Sequence, residues 1–222
     1  MNNRLQQRAP IVLGILALVL GACGRSSEAG NSPGAPSASL EATASGPIGQ
    51  TYTTTSFEVA LTVIVEPLLK SPPTIDSPNL LSWDAAGGDN EKVRFLIPVE
   101  LYFAGSSTAQ PPPTDYLEYL RGRAAQGAEF SNISTITVDG HPGTLMTATT
   151  TNGLDGSLGC PVRGADPGEG CFGLQPDLSL RIAVIDIGAG TTLLAWAKTG
   201  KDAPDDEFVA MFETMLASMQ FT

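Results

Sequence analysis

Residues 178–198 read LSLRIAVIDIGAGTTLLAWAK, and the fold turns on how they are read. Two apolar runs, Leu178–Ile187 and Thr191–Lys198, flank Gly188-Ala189-Gly190. A phosphate-cradling loop at such a turn needs a third glycine or a lysine-threonine pair, and it must open a helix. This stretch has neither, and from Thr191 onward it carries strand residues. The segment is predicted as a hairpin, and two strands joined by a short turn pair antiparallel.

Working outward, the same pattern recurs. Ile133–Val138 and Thr144–Thr151 form a second predicted hairpin around Asp139-Gly140. In SFEVALTVIVEPL (56–68), Phe57, Val59, Leu61, Val63 and Val65 alternate with their neighbours, the period of a strand with one buried face. Pro67, Pro72, Pro73 and Pro78 predict irregular chain up to Asn79. Leu80–Asp84 reads as a short strand, and Val93–Phe103 alternates through Phe95, Ile97, Val99 and Leu101. Pro98 inside that run predicts an edge position or a bulge. After Pro111-Pro112-Pro113, Thr114 is the expected cap of a helix to about Gly127, with Leu117, Leu120 and Ala124 inward. A last helix is expected from Asp202 to Met219, with Asp202, Asp205, Asp206 and Glu207 favouring its positive end. Phe208, Met211, Phe212, Met215, Leu216 and Met219 would form its core face. The expected fold class is α+β over residues 56–222: an antiparallel sheet of about six or seven strands with two main helices packed on it.

The chain ahead of this domain has a different character. Arg4 and Arg8 precede an apolar run, Ala9–Leu20, too short to span a bilayer comfortably, as in a secretory signal. Leu20-Gly21-Ala22-Cys23 follows. It resembles the lipobox of bacterial lipoproteins. The resemblance implies a signal peptide at 1–22, a diacylglyceryl group on the Cys23 sulfur and cleavage just before it. It also implies an extracytoplasmic protein held to the bacterial cell membrane by lipid, a strong anchor at about 0.8 kcal/mol per buried CH₂. Residues 24–55 carry almost no large apolar side chain and read, with Cys23, as a flexible linker. It would reach roughly 30 Å on average at about 5–6 Å × √n.

Charge narrows the partners. Loss of residues 1–22 removes Arg4 and Arg8 and no acid, so 12 basic side chains become 10 against 23 acidic ones, a net of −13. Such a surface repels phosphate backbones, so no nucleic-acid partner is expected. The expected partners are the membrane, through the lipid anchor, and an unidentified envelope protein or ligand.

The strand at Phe57–Val65, the hairpin at Val138-Asp139-Gly140 and a terminal helix after a long hairpin together resemble the PsbP-like fold. That fold is shared by photosystem extrinsic subunits and actinobacterial LpqN-type lipoproteins. The resemblance covers roughly residues 56–222 and implies a small accessory or binding domain, with no catalytic residue carried over.

Candidate chemistry is sparse. With Cys23 lipidated, Cys160 and Cys171 remain, in the Gly/Pro-rich stretch GCPVRGADPGEGC. An oxidising compartment and an even count favour a disulfide over free thiols, and so short a loop would contribute somewhat under ~3 kcal/mol. A zinc site would want two more Cys or His ligands, and His141 is the only histidine. His141 sits in Asp-Gly-His-Pro and reads as a hydrated turn residue. Arg94 and Arg181 fall within strands, where each needs solvent or a carboxylate such as Glu100 or Asp186. No catalytic, cofactor or metal-binding residue is assigned. The expected function is a non-enzymatic accessory or binding domain of the cell envelope. The alternatives are a cell-wall hydrolase or transferase using unidentified acids, and a carrier holding an apolar ligand near Trp83 or Trp196.

Overall fold

The computed structural model describes residues 49–87, 90–103, 106–202 and 204–222. The export signal, Cys23 and the linker up to residue 48 lie outside the described residues. Strands β1 (Gln50–Thr53) and β2 (Leu61–Val65) come first, then β3 (Ile75–Ser77), β4 (Leu80–Asp84) and β5 (Lys92–Leu96). A short pair, β6 (Leu101–Tyr102) and β7 (Ala109–Gln110), precedes helix α1 (Tyr116–Gly122). The long strands β8 (Ala128–Val138) and β9 (His141–Thr150) follow, with β10 (Leu154–Gly159) and β11 (Phe172–Leu174). Next come β12 (Leu178–Asp186), β13 (Thr192–Gly200), helix α2 (Asp206–Ser218) and β14 (Gln220–Phe221).

The predicted α+β class is the one observed. A seven-stranded sheet runs β3-β4-β5-β13-β12-β9-β8, and every pairing in it is antiparallel. At its centre β12 and β13 pair in unbroken register from Leu178↔Gly200 to Asp186↔Thr192. Their connection has positive φ at Gly188 (88°), Ala189 (53°) and Gly190 (75°), a course that favours glycine. The β8–β9 turn at Asp139-Gly140 has φ of 47° and 82°, the geometry of a two-residue hairpin with matched twist.

Side chains alternate across the sheet, and its central strands are buried on both faces. On the first face Ala183, Ile185, Leu193 and Ala195 meet the predicted apolar face of α2 together with Leu61, Val63 and Val65 of β2. On the second, Leu180, Ile182, Leu194 and Trp196 meet Tyr116 and Leu120 of α1, Leu101 of β6 and Leu154, Leu158 and Leu174 from the β10–β11 region. A central strand covered on both faces reads as a continuous apolar run, which is why 181–187 shows so little alternation.

Several boundaries differ from expectation. Residues 50–53, inside the stretch read as linker, form β1 on the edge of a three-stranded sheet, β1-β2-β14. Residues 57–60 precede β2 as irregular chain, although Phe57 is buried in the core. The proline-rich stretch contains the edge strand β3, whose pairing with β4 lies between Pro73 and Pro78. β5 is interior, between β4 and β13, and ends at Leu96. Pro98 falls where the chain leaves that sheet, and Glu100 then pairs with Cys160. Asp115 rather than Thr114 caps α1, accepting from the Glu118 N–H at 2.8 Å. Leu120 is buried as expected and Tyr116 joins it, while Leu117 is half-buried and Ala124 exposed. Asp205 caps α2 in the same way, accepting from the Phe208 N–H at 2.9 Å.

Candidate functional site

The β12–β13 hairpin tip separates two surface clefts. The larger, about 650 Å³, lies against the first turn of α1. Its floor is a cross-strand row, Thr135↔Thr144 and Thr144↔Val184, with Thr192 and Thr114 adding hydroxyls. Its two carboxylates, Asp115 and Asp186, are exposed. Each engages a backbone N–H: Asp115 caps Glu118, and Asp186 accepts from Gly188 at 2.9 Å. The smaller cleft, about 340 Å³, is bordered by Glu58, Ile97, His141, Ile187 and Phe221.

His141 is therefore not the fully hydrated turn residue of the sequence reading. Its ring stands edge-on to Phe221 with centroids 4.8 Å apart, and Nδ1 lies 3.2 Å from the Asp186 carbonyl oxygen. The C-terminal strand causes this: Phe221 donates its N–H to the Asp139 carboxylate at 2.8 Å, which holds β14 beside the hairpin turn.

Cys160 and Cys171 form a disulfide with Cα atoms 4.2 Å apart. Cys160 is fully buried and Cys171 half-buried. The loop between them is fastened at several points. The buried Glu100 carboxylate accepts from the Gly164 N–H at 2.7 Å, and Tyr102 donates its hydroxyl to the Ala165 carbonyl at 2.9 Å. Asp166 accepts from the N–H groups of Gly168 and Glu169. Beneath it, Tyr116 and Tyr119 donate to the carbonyls of Leu158 and Ser157. Burial pushes the Tyr116 phenol well above its ordinary pKa, so it remains a donor.

The strand arginines have other partners than those expected. Arg181 bonds Glu213 of α2 through Nε at 2.8 Å and the Asn132 carbonyl at 2.9 Å. Arg94 lies over the Phe172 ring, 4.8 Å from its centroid. Neither meets Glu100 or Asp186, because Glu100 is turned into the disulfide loop and Asp186 into its own hairpin tip. Trp83 and Trp196 are core residues: Trp83 packs between Tyr52 and Phe95, and Trp196 packs against Phe172. Among the described residues, no group of three or more His, Cys, Asp or Glu is placed to hold a metal ion, and no helix is long and apolar enough to cross a membrane.

One feature without a local sequence signal is the Asp76 carboxylate of β3. It accepts from the Tyr52 hydroxyl (2.6 Å), the Thr55 hydroxyl (2.6 Å) and N–H (2.9 Å), and the Ser56 N–H (3.2 Å). Burial works against its charge, but the hydrogen bonds from Thr55, Tyr52 and Ser56 outweigh it and hold the carboxyl below its ordinary value. Tyr52, desolvated and bonded to that carboxylate, is raised to about 12. These bonds tie the segment between β1 and β2 to the edge of the main sheet.

No family model matches the chain, and no curated protein matches it. Among solved structures it is similar to the solution structure of cyanobacterial PsbP (CyanoP) from Synechocystis, with a TM-score of 0.42 and 14% identity over 81% of this chain and 96% of that one. It is also similar to the crystal structure of PA94 from Pseudomonas aeruginosa, a protein of unknown function, with a TM-score of 0.37 and 16% identity over 76% of this chain and 95% of that one. Both likenesses are of fold, at low sequence identity.

Proposed function

We propose that this chain is an extracytoplasmic lipoprotein, anchored through lipid on Cys23, whose folded domain is a non-enzymatic binding module of the cell envelope. The disulfide is the observation that carries the reading. A bond between Cys160 and Cys171 belongs to an oxidising compartment, which a chain opening with an export signal would reach. With those two cysteines joined, Cys23 is the remaining thiol, and it stands in Leu20-Gly21-Ala22-Cys23. Binding is favoured over catalysis by the larger cleft, which is open, hydroxyl-lined and bordered by two exposed, backbone-capping carboxylates.

The test is made in the producing cell. The parent should carry the mass of a diacylglyceryl group on Cys23 and partition into detergent. Cys23→Ala should lose both. A variant that still partitions with the parent's mass increment would refute the anchor. Crosslinking in living cells from positions 135 and 192, which line the larger cleft, should capture a partner that is lost when Thr144→Arg fills it. Capture unchanged by that substitution would remove the cleft from the binding role.

A further inference from the structure

The second face of the main sheet breaks a local rule at one end. Register aligns three rows across β4, β5 and β13: Leu80, Leu96 and Leu194; then Ser82, Arg94 and Trp196; then Asp84, Lys92 and Lys198. The first row is apolar and lies over the core. The other two bring Arg94, Lys92 and Lys198 together on adjacent strands, with Lys92 and Lys198 directly opposite each other. Like charges directly opposite in an antiparallel pair destabilise it. They stand here in a chain whose formal net charge is −11 and which has only 12 basic side chains.

Carboxylates offset the cluster only in part: Asp84 attracts Arg94 and Lys198 as well as Lys92, and Asp177 attracts Lys198. Asp84 is ion-paired to Lys92. Arg94 and Lys198 remain, both half-buried. The Arg94 guanidinium is stacked on Phe172, which in turn packs on Trp196, and its buried Nε has no hydrogen-bond partner. Stacking fixes the plane of the guanidinium, and a fixed guanidinium fork beside an ammonium is the donor arrangement that recognises a tetrahedral oxyanion. Burial, together with Arg94 and Lys92, depresses the Lys198 pKa, with Asp177 and Asp84 opposing, so an added anion would relieve both cations. A local rule broken with only partial internal compensation points to a functional position.

We propose that Arg94 and Lys198, flanked by Lys92, form a binding site for a phosphate-type oxyanion on the second face of the sheet, apart from the clefts at the hairpin tip. The shared chemistry is a phosphate group, supplied either free in solution or by a lipid headgroup.

The experiment uses the full chain as purified in detergent and inorganic phosphate as the probe. Two readouts are followed: thermal stability, and acetylation of Lys198 measured by mass spectrometry. Sodium chloride at matched ionic strength is the control. Phosphate should raise the melting temperature saturably, protect Lys198 and leave Lys201 labelled, while chloride does neither. Arg94→Gln and Lys198→Gln should each weaken the phosphate response at least about tenfold, the loss expected for one charge-assisted partner. Lys198→Gln should also raise the melting temperature of the phosphate-free protein, because it removes the like-charge pair. That second effect keeps the test decisive even if Arg94→Gln folds poorly. The same labelling on protein reconstituted into phosphatidylcholine vesicles, with and without phosphatidic acid, separates the sources. Protection by dissolved phosphate assigns a free anion, and protection confined to phosphatidic acid assigns a headgroup. Absence of protection in both arms, or a phosphate response that survives in both variants, overturns the site.

Discussion

The two cysteines of the disulfide should not be equivalent. Reduction or replacement of either releases the same covalent loop, of sequence separation 11. In the chain-entropy treatment that crosslink contributes roughly 2.8 kcal/mol, acting on the unfolded chain. For a domain of this size the loss corresponds to a fall in melting temperature of about 6–11 °C. The surroundings then separate the two positions. Cys160 is 0% exposed; its N–H donates to the Glu100 carbonyl at 2.8 Å and its carbonyl accepts from the Val99 N–H at 3.0 Å. Cys171 is half-buried. Cys160→Ser therefore places a hydroxyl where no water reaches it, a further cost of about 1–3 kcal/mol, whereas Cys171→Ser leaves its hydroxyl within reach of solvent. Cys160→Ser should melt below Cys171→Ser by about 2–12 °C. Scanning calorimetry of both variants and of the reduced parent is the assay. The reduced parent should lie near Cys171→Ser, since the buried thiol of Cys160 behaves as a small apolar group. Equal melting temperatures for the two serine variants, or a reduced parent as unstable as Cys160→Ser, would refute the argument from burial.

Further outcomes follow from other contacts. The Asp76 carboxyl is held below its ordinary value in the folded state, so its stabilising contribution is fully present above the unfolded carboxylate pKa and is lost as pH falls through the lower folded value. Asp76→Asn should destabilise the domain at neutral pH and flatten that part of the acid profile in denaturant titrations; an unchanged profile would remove Asp76 from this role. Asp205→Ala removes the side-chain cap of α2 and should cost about 1 kcal/mol by urea unfolding, while Asp202→Ala, outside that helix, should cost less than the cap. His141→Ala removes an edge-to-face contact with Phe221, worth about 0.5–1.5 kcal/mol, and should leave partner capture intact; capture lost in a folded, exported variant would restore catalysis or direct binding at His141.

The candidate sites were legible to different depths. Cys160 and Cys171 could be paired because the lipobox resemblance set Cys23 aside, leaving two cysteines in a short loop of an exported chain. Arg94 and Arg181 stood out as charges in strands, but their partners, Phe172 and Glu213, lie far along the chain and carry no sequence cue. The opposition of Lys92 and Lys198 depends on which strands neighbour each other, and β5 joins β13 only through the long-range order of the sheet.

Short-range periodicity and turn chemistry encode the local elements. The hairpins at Asp139-Gly140 and Gly188-Ala189-Gly190, the apolar face of α2 and the antiparallel α+β class all follow from contacts within a hairpin or a few helical turns. Tertiary structure decided what depends on distant segments meeting. β1 and β14 are too short to show a period and exist as strands because β2 supplies their hydrogen bonds. β3 forms despite its flanking prolines because β4 offers an edge between them. Asp76 gathers its donors from residues 20–24 positions earlier, and Phe221 comes from the far end of the chain to pack edge-on against His141. A local pattern states which face of an element is apolar; only the packed sheet determines which residue stands opposite which, and there the charges of Arg94 and Lys198 acquire their meaning.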